Sequence, residues 1–194
     1  MGQAKDRDKK LQAVKDSFSG DAKIVAEAAF KIFDGFILPH KYEGGCYLVT
    51  MTICRFLEDE HGIKTTPVVG YINDGTDNIM ISHAWLEFDG KKTDLTLNVV
   101  ERTAGAQPGP VLVHDEIVRA GSVQYSYHME RAPEDLLMIQ HLINHPQFGP
   151  AIKEKEDEHI AMSARAQDRE LMDAYLDGAP AEIMGPMLAA LRAK

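Results

Sequence analysis

Cys46, His83 and Asp94 are the residues of this 194-residue chain whose types and settings can do chemistry together. Cys46 follows Gly44-Gly45 and is read as opening a helix. A helix N-terminus carries unpaired N–H groups and a partial positive charge, and both stabilise a thiolate. The same N–H groups can hold an oxyanion. The paired glycines let a substrate backbone come close. Cys46 also shares an inward helical stripe with Val49 and Ile53. The competing reading is a small buried core thiol, because free cysteine is among the most buried residue types. Cys54 lies mid-helix, without glycines or dipole, and is expected in the core.

His83 lies in the apparent strand Ile-Met-Ile-Ser-His-Ala-Trp-Leu-Glu-Phe, residues 79–88. Strand side chains alternate, so Ile79, Ile81, His83, Trp85 and Glu87 share a face. Asp89-Gly90 is a type I′ hairpin signal. With that turn, Phe88 faces Lys91, Leu86 faces Thr93, Trp85 faces Asp94 and His83 faces Thr96. Asp94 therefore falls diagonal to His83 on the same face, within reach of a side-chain hydrogen bond. A slip of one residue would separate them. Alone, His83 reads as a satisfied core histidine and Asp94 as a hydrated carboxylate near a hairpin end. Together the three residues follow the logic of nucleophile, base and orienting carboxylate.

The stretch from Gly44 to Asn98 resembles the core of the transglutaminase-like, papain-like superfamily. Gly45-Cys46 at a helix start, His61-Gly62-Ile63 leading into Val68-Val69-Gly70-Tyr71, His83-Ala84-Trp85-Leu86-Glu87 and Thr93-Asp94-Leu95-Thr96 carry the resemblance. It implies Cys46 as nucleophile, His83 as base and Asp94 as the orienting residue. Gly45, Tyr42 and Trp85 are the expected oxyanion or substrate contacts, and His40 is a further candidate donor. The Cys46 N–H would be the first oxyanion donor. No Gln lies near Cys46, where papain-type enzymes supply one, so the second donor is unassigned.

These residues need elements to position them. Residues 5–17 show a helical stripe through Leu11, Val14 and Phe18, and Asp21 is placed as an N-cap. A second helix carries Ile24, Val25, Ala28, Ala29, Ile32 and Phe33. Pro39 and Gly44-Gly45 are read as breaks, and a third helix runs over residues 45–61, closed by Gly62. Residues 64–72, 79–88 and 91–98 are expected strands, with weaker candidates at 111–113 and 122–127. From Pro133 the chain reads as helix in three pieces, broken at His145-Pro146 and Gly178-Ala179-Pro180. Helices, then a strand meander, then helices make an α+β fold. The expected division is a transglutaminase-like core with N-terminal helices over residues 1–130. Residues 131–194 then form a helical extension packed on or appended to it.

The net charge of -9 lacks the basic footprint that nucleic acid or an anionic membrane surface requires. Residues 1–10 have no apolar signal region, and no apolar run is long enough to span a bilayer. Two cysteines eight residues apart on one helix are too distant for a disulfide, which implies free thiols and a cytoplasmic, reducing setting. His114-Asp115-Glu116 and the pair His141 and His145 are weak metal candidates, and a metal-dependent hydrolase using them is one rival. Glu154 to His159 is read as a solvated charged face. Met184, Met187, Leu188 and Leu191 are read as a packing stripe. The reading is therefore a cofactor-free thiol hydrolase, a peptidase or amidase, acting on a peptide or small amide or acyl substrate. Acyl transfer to an amine, and a non-catalytic peptide-binding module on the same fold, stay open.

Overall fold

The computed structural model describes residues 12–100 and 107–193. Helix α1 (Gly20–Ile32) buries Val25, Ala28, Ala29 and Ile32, the stripe read from the sequence. Ser19, not Asp21, takes the N-cap position; Asp21 lies in the first turn, where a negative charge meets the positive helix end. Pro39 does not break the chain as expected. The helix widens into a π-helical turn, Phe33–Ile37, and runs on through Leu38–His40. Proline has no N–H for the α-helical ladder, and the wider turn before it takes up the mismatch. Lys41, left-handed at φ 49°, ends the segment.

Helix α2 (Cys46–His61) is apolar on most sides and sits between the other helices and the sheet. Gly62 closes it at φ 68°, with Gly62 N–H on Glu58 O at 3.0 Å and Ile63 N–H on Leu57 O at 3.0 Å. This is the glycine-ended stop that orphan helix carbonyls require.

The strands are β1 (Thr66–Asn73), β2 (Ile81–Phe88), β3 (Lys91–Thr93), β4 (Val111–Val113), β5 (Glu116–Arg119) and β6 (Ser126–His128). One antiparallel sheet has the order β3-β2-β1-β6, and β4 with β5 forms a separate hairpin. Asp89 and Gly90 have φ 50° and 70°, the paired positive values of a type I′ turn. The register is Phe88 with Lys91 and Leu86 with Thr93. The expected third strand over 91–98 is cut short. Pairing with β2 stops at Thr93, and Asp94 turns to bridge Leu112 with hydrogen bonds of 2.9 and 2.8 Å. The weak candidate over 122–127 becomes β6, whose Tyr127 faces Ile72 of β1.

Four C-terminal helices follow instead of three: α3 (Pro133–Ile143), α4 (Gly149–Gln167), α5 (Arg169–Asp177) and α6 (Ala181–Arg192). The extra break is at Asp168, whose side chain accepts from Glu170 N–H at 2.9 Å and Leu171 N–H at 3.1 Å. An aspartate there satisfies donors that no preceding turn can reach. Met162, Met172, Leu176, Met187 and Leu191 join the same buried cluster as Val25, Ile32, Val49 and Leu86. The fold is mixed α+β, with one core shared by the sheet and both sets of helices. Among the described residues no helix is long and apolar enough to cross a membrane.

Candidate active site

The hairpin register brings His83 and Asp94 together. His83 Nε2 donates to Asp94 Oδ2 at 2.7 Å, and the two residues are only 4% and 2% exposed. A carboxylate can only accept, so Nε2 carries hydrogen and Nδ1 is the nitrogen left to exchange a proton. Asp94 is held by more than the histidine. Its Oδ2 also accepts from the Tyr127 hydroxyl at 2.8 Å, and its Oδ1 from Thr96 N–H at 3.2 Å. Its backbone is fixed by Leu112 on the second hairpin. A buried carboxylate stays charged only with such partners.

Burial by itself pushes the His83 pKa down. The Asp94 charge overcomes this, helped by the Cys46 thiol as charge and as hydrogen-bond partner and by the Asp94 hydrogen bond. The net result is a raised pKa, which favours the imidazolium.

Cys46 is half-buried at the first position of α2. The first α-helical bond there runs from Val49 N–H to Gly45 O at 2.9 Å, so the N–H groups of Cys46, Tyr47 and Leu48 precede the ladder. Such groups are donors available to a negative oxygen. Cys54 contrasts with it. It is buried in the core, and burial pushes its thiol up to about 12.

Gly45 is a close-approach position: a Cβ there would come within 2.0 Å of Cε1 of Tyr42. Gly45 lines the cavity beside Cys46, whereas Tyr42 is packed behind it against Phe36. His40 is exposed, and its Nδ1 meets Phe36 O at 2.9 Å. Trp85 lies in the interior, outside the cavity. Its indole N–H donates to Glu87 Oε1 at 2.9 Å, and its ring meets Tyr127 edge-on at 5.1 Å. The His40 Nδ1 and the Trp85 indole N–H thus have partners outside the cavity that Cys46 faces, whereas burial first and the Cys46 charge second raise the Tyr42 pKa.

That cavity has a volume of about 540 Å³, with Cys46 and His83 in its lining. Helices α3 and α4 supply its far wall, through Ile139 and Ile152 among others. The charged run on α4 leaves Glu154, Lys155 and Asp157 exposed, as a solvated face would, but its other side turns toward the cavity. Lys155, Glu156 and Glu158 line the cavity, and His159 turns inward to meet Ser82. Ser82 Oγ stands between His159 Nδ1 and the Tyr47 hydroxyl, the latter at 2.7 Å. His159 stacks on Tyr71 at 4.3 Å, and burial lowers its pKa. Arg131 closes the same corner. It pairs with Asp135 and Glu156, donates to Met80 O at 2.8 Å and lies over the Tyr71 ring.

Sequence reasoning missed Tyr127, Thr96, Ser82, His159 and Arg131. The signal for Thr96 was present, since it lies two residues after Asp94 and its N–H closes a local turn on that carboxylate. Ser82 sits on β2 beside His83, but its partners Tyr47 and His159 come from α2 and α4, while Tyr127, His159 and Arg131 come from β6, α4 and the segment before α3, whose placement against β1 and β2 is non-local. The metal candidates are used otherwise. His114 is buried with Nε2 on Ala22 O at 2.9 Å, and His145 Nδ1 accepts from Gln147 N–H at 3.2 Å. Among the described residues no three metal-ligating side chains converge.

No family model, no curated protein and no solved structure matches this chain significantly.

Proposed function

We propose that the chain is a thiol hydrolase built on a transglutaminase-like, papain-like core, with Cys46 as nucleophile, His83 as base and Asp94 as its orienter. The observation that carries this reading is the buried His83–Asp94 hydrogen bond beside a half-buried cysteine at a helix start. A structural histidine would need neither an adjacent thiol nor a cavity; this one has both.

The chemistry follows from the pair. His83 Nδ1 takes the Cys46 proton, and Asp94 stabilises the imidazolium that results. The sulfur attacks a carbonyl carbon and forms a C–S bond, while the first-turn N–H groups of α2 face the developing oxyanion. The bond to the leaving group breaks as His83 returns the proton to it. Water then adds to the thioester, giving its proton to His83. The C–S bond breaks, and a carboxylic acid departs. The net reaction consumes one water and releases the leaving group with its hydrogen.

The test is turnover of p-nitrophenyl acetate followed by intact-protein mass spectrometry. The expected result is a transient acetyl group on Cys46, with nitrophenolate release lost in Cys46→Ala and strongly slowed in His83→Ala. Equal release by all three proteins would overturn the reading. Added primary amines that capture the acetyl group faster than water would convert the assignment from hydrolase to acyl transferase.

A further inference from the structure

The cavity beyond Cys46 has an uneven chemistry. Its wall is formed largely by Ile72, Met80, Ile81, Leu97, Ile139 and Ile152. Its volume of about 540 Å³ lies within the range of sites that enclose a small molecule. Charged residues also line it; apart from the exposed Glu43, they are spent on one another or on backbone. Arg131 is taken by Asp135, Glu156 and the Met80 carbonyl, and Lys155 by Glu158 at 2.8 Å. Ser82 is likewise taken, by Tyr47 and His159.

This decides between two kinds of acyl group. A peptide laid along the wall brings an amide every residue, and each amide buried without a partner costs free energy. A wall whose polar groups already answer each other has little to offer them. A plain hydrocarbon chain needs no partners and gains from every methylene buried. We infer that the cavity is an acyl-chain pocket: the group transferred to Cys46 is a linear aliphatic acyl chain that extends from the thiol along the wall shared by the sheet, α3 and α4. This inference rests on the thiol reading above. It assigns α3 and α4 the role of selecting the substrate.

The acyl group could arrive on a thioester or on an amide, and the experiment has an arm for each. In one arm, kcat/KM is measured for aryl thioesters from acetyl to octanoyl. In the other, the same acyl groups are presented as anilides, beside peptide anilides carrying Ala, Val, Leu or Phe next to the scissile bond. The expected result is a rise of roughly three- to fourfold per added methylene in at least one arm, the gain expected from burying a methylene. The arm that shows the rise identifies the source. Ile152→Trp fills part of the pocket and is expected to move the optimum to shorter chains. Ile81→Asp, at a half-exposed position on the mouth, is expected to flatten the series without a core change.

Acylation of Cys46 that does not depend on chain length would overturn the pocket assignment and leave the thiol reading intact. So would peptide anilides outpacing every aliphatic member. No adduct on Cys46 with any compound, acetyl included, would overturn both.

Discussion

His83 Nε2 and Asp94 Oδ2 lie 2.7 Å apart across the β2–β3 hairpin, and both side chains are shielded from solvent. The contact depends on a turn of two residues with positive φ, Asp89 and Gly90, which sets the register. It also depends on Asp94 leaving the β2 ladder. The carboxylate is then free to receive His83, Tyr127 and Thr96 while its backbone bonds to Leu112.

Asp94→Asn keeps the shape and removes the charge that raises the His83 pKa. Each unit by which that pKa falls costs about tenfold in the imidazolium-to-imidazole ratio. The expected outcome is slower alkylation of Cys46 at neutral pH, with the melting temperature changed far less than the rate. Iodoacetamide labelling and a thermal melt on the same samples check this.

The histidines divide by environment. His83 is raised, whereas burial lowers His159 and His114. At neutral pH, nitrogen-resolved NMR of the imidazoles is expected to show a protonated ring at His83 and neutral rings at the other two. The signs for stability are opposite. A raised folded-state pKa gives His83 a contribution fully present below its unfolded value, about 6.5. That contribution is lost as pH rises through the folded value. The lowered pair works the other way. The unfolded chain takes up their protons first, so stability falls as pH drops below about 6.5. Urea midpoints across this range are expected to fall less steeply on the acid side in His159→Gln.

Gly70 packs where no side chain fits. A Cβ there would lie 2.5 Å from His128 O and 2.7 Å from the Trp85 ring. Gly70→Ala is expected to push β6 away and loosen Tyr127 from Asp94. The cost is about 1–3 kcal/mol of stability, as for other overpacked sites. Denaturant titration measures the loss, and a parallel drop in Cys46 labelling at neutral pH reports the loosened carboxylate.

Asp135 is fully buried, pairs with Arg131 and accepts Met80 N–H at 2.9 Å. Asp135→Ala leaves Arg131 its Glu156 partner but strands the buried Met80 N–H and is expected to destabilise by about 1–3 kcal/mol. Equilibrium unfolding of the variant checks it.

The parts of the site legible in the sequence are those built from local rules. Alternation along β2 and the Asp-Gly turn give the His83–Asp94 diagonal, and Gly44-Gly45 before an apolar stripe gives the start of α2. What was not legible comes from distant segments. Tyr127 reaches Asp94 because β6 adds to the far edge of β1, and nothing in Ser126–His128 announces which strand it joins. The run Glu154 to His159 looks solvated by composition. Glu154, Lys155 and Asp157 are exposed, but α4 crosses β1, so that Glu156, Glu158 and His159 are partly covered and His159 stacks on Tyr71. The short β3 was overread because the residues after Thr93 keep strand-like alternation while their backbone partners change to Leu112.

The central claim is that Cys46 and His83 share a proton as a reactive pair. The most direct measurement is the rate of iodoacetamide labelling of each cysteine against pH, resolved by peptide mass spectrometry, in wild type and His83→Ala. The account predicts that Cys46 labels rapidly at neutral pH in the wild type and slows sharply in the variant, while Cys54 stays inert until the chain unfolds. Slow labelling of both cysteines at neutral pH, unchanged by the substitution, would contradict it.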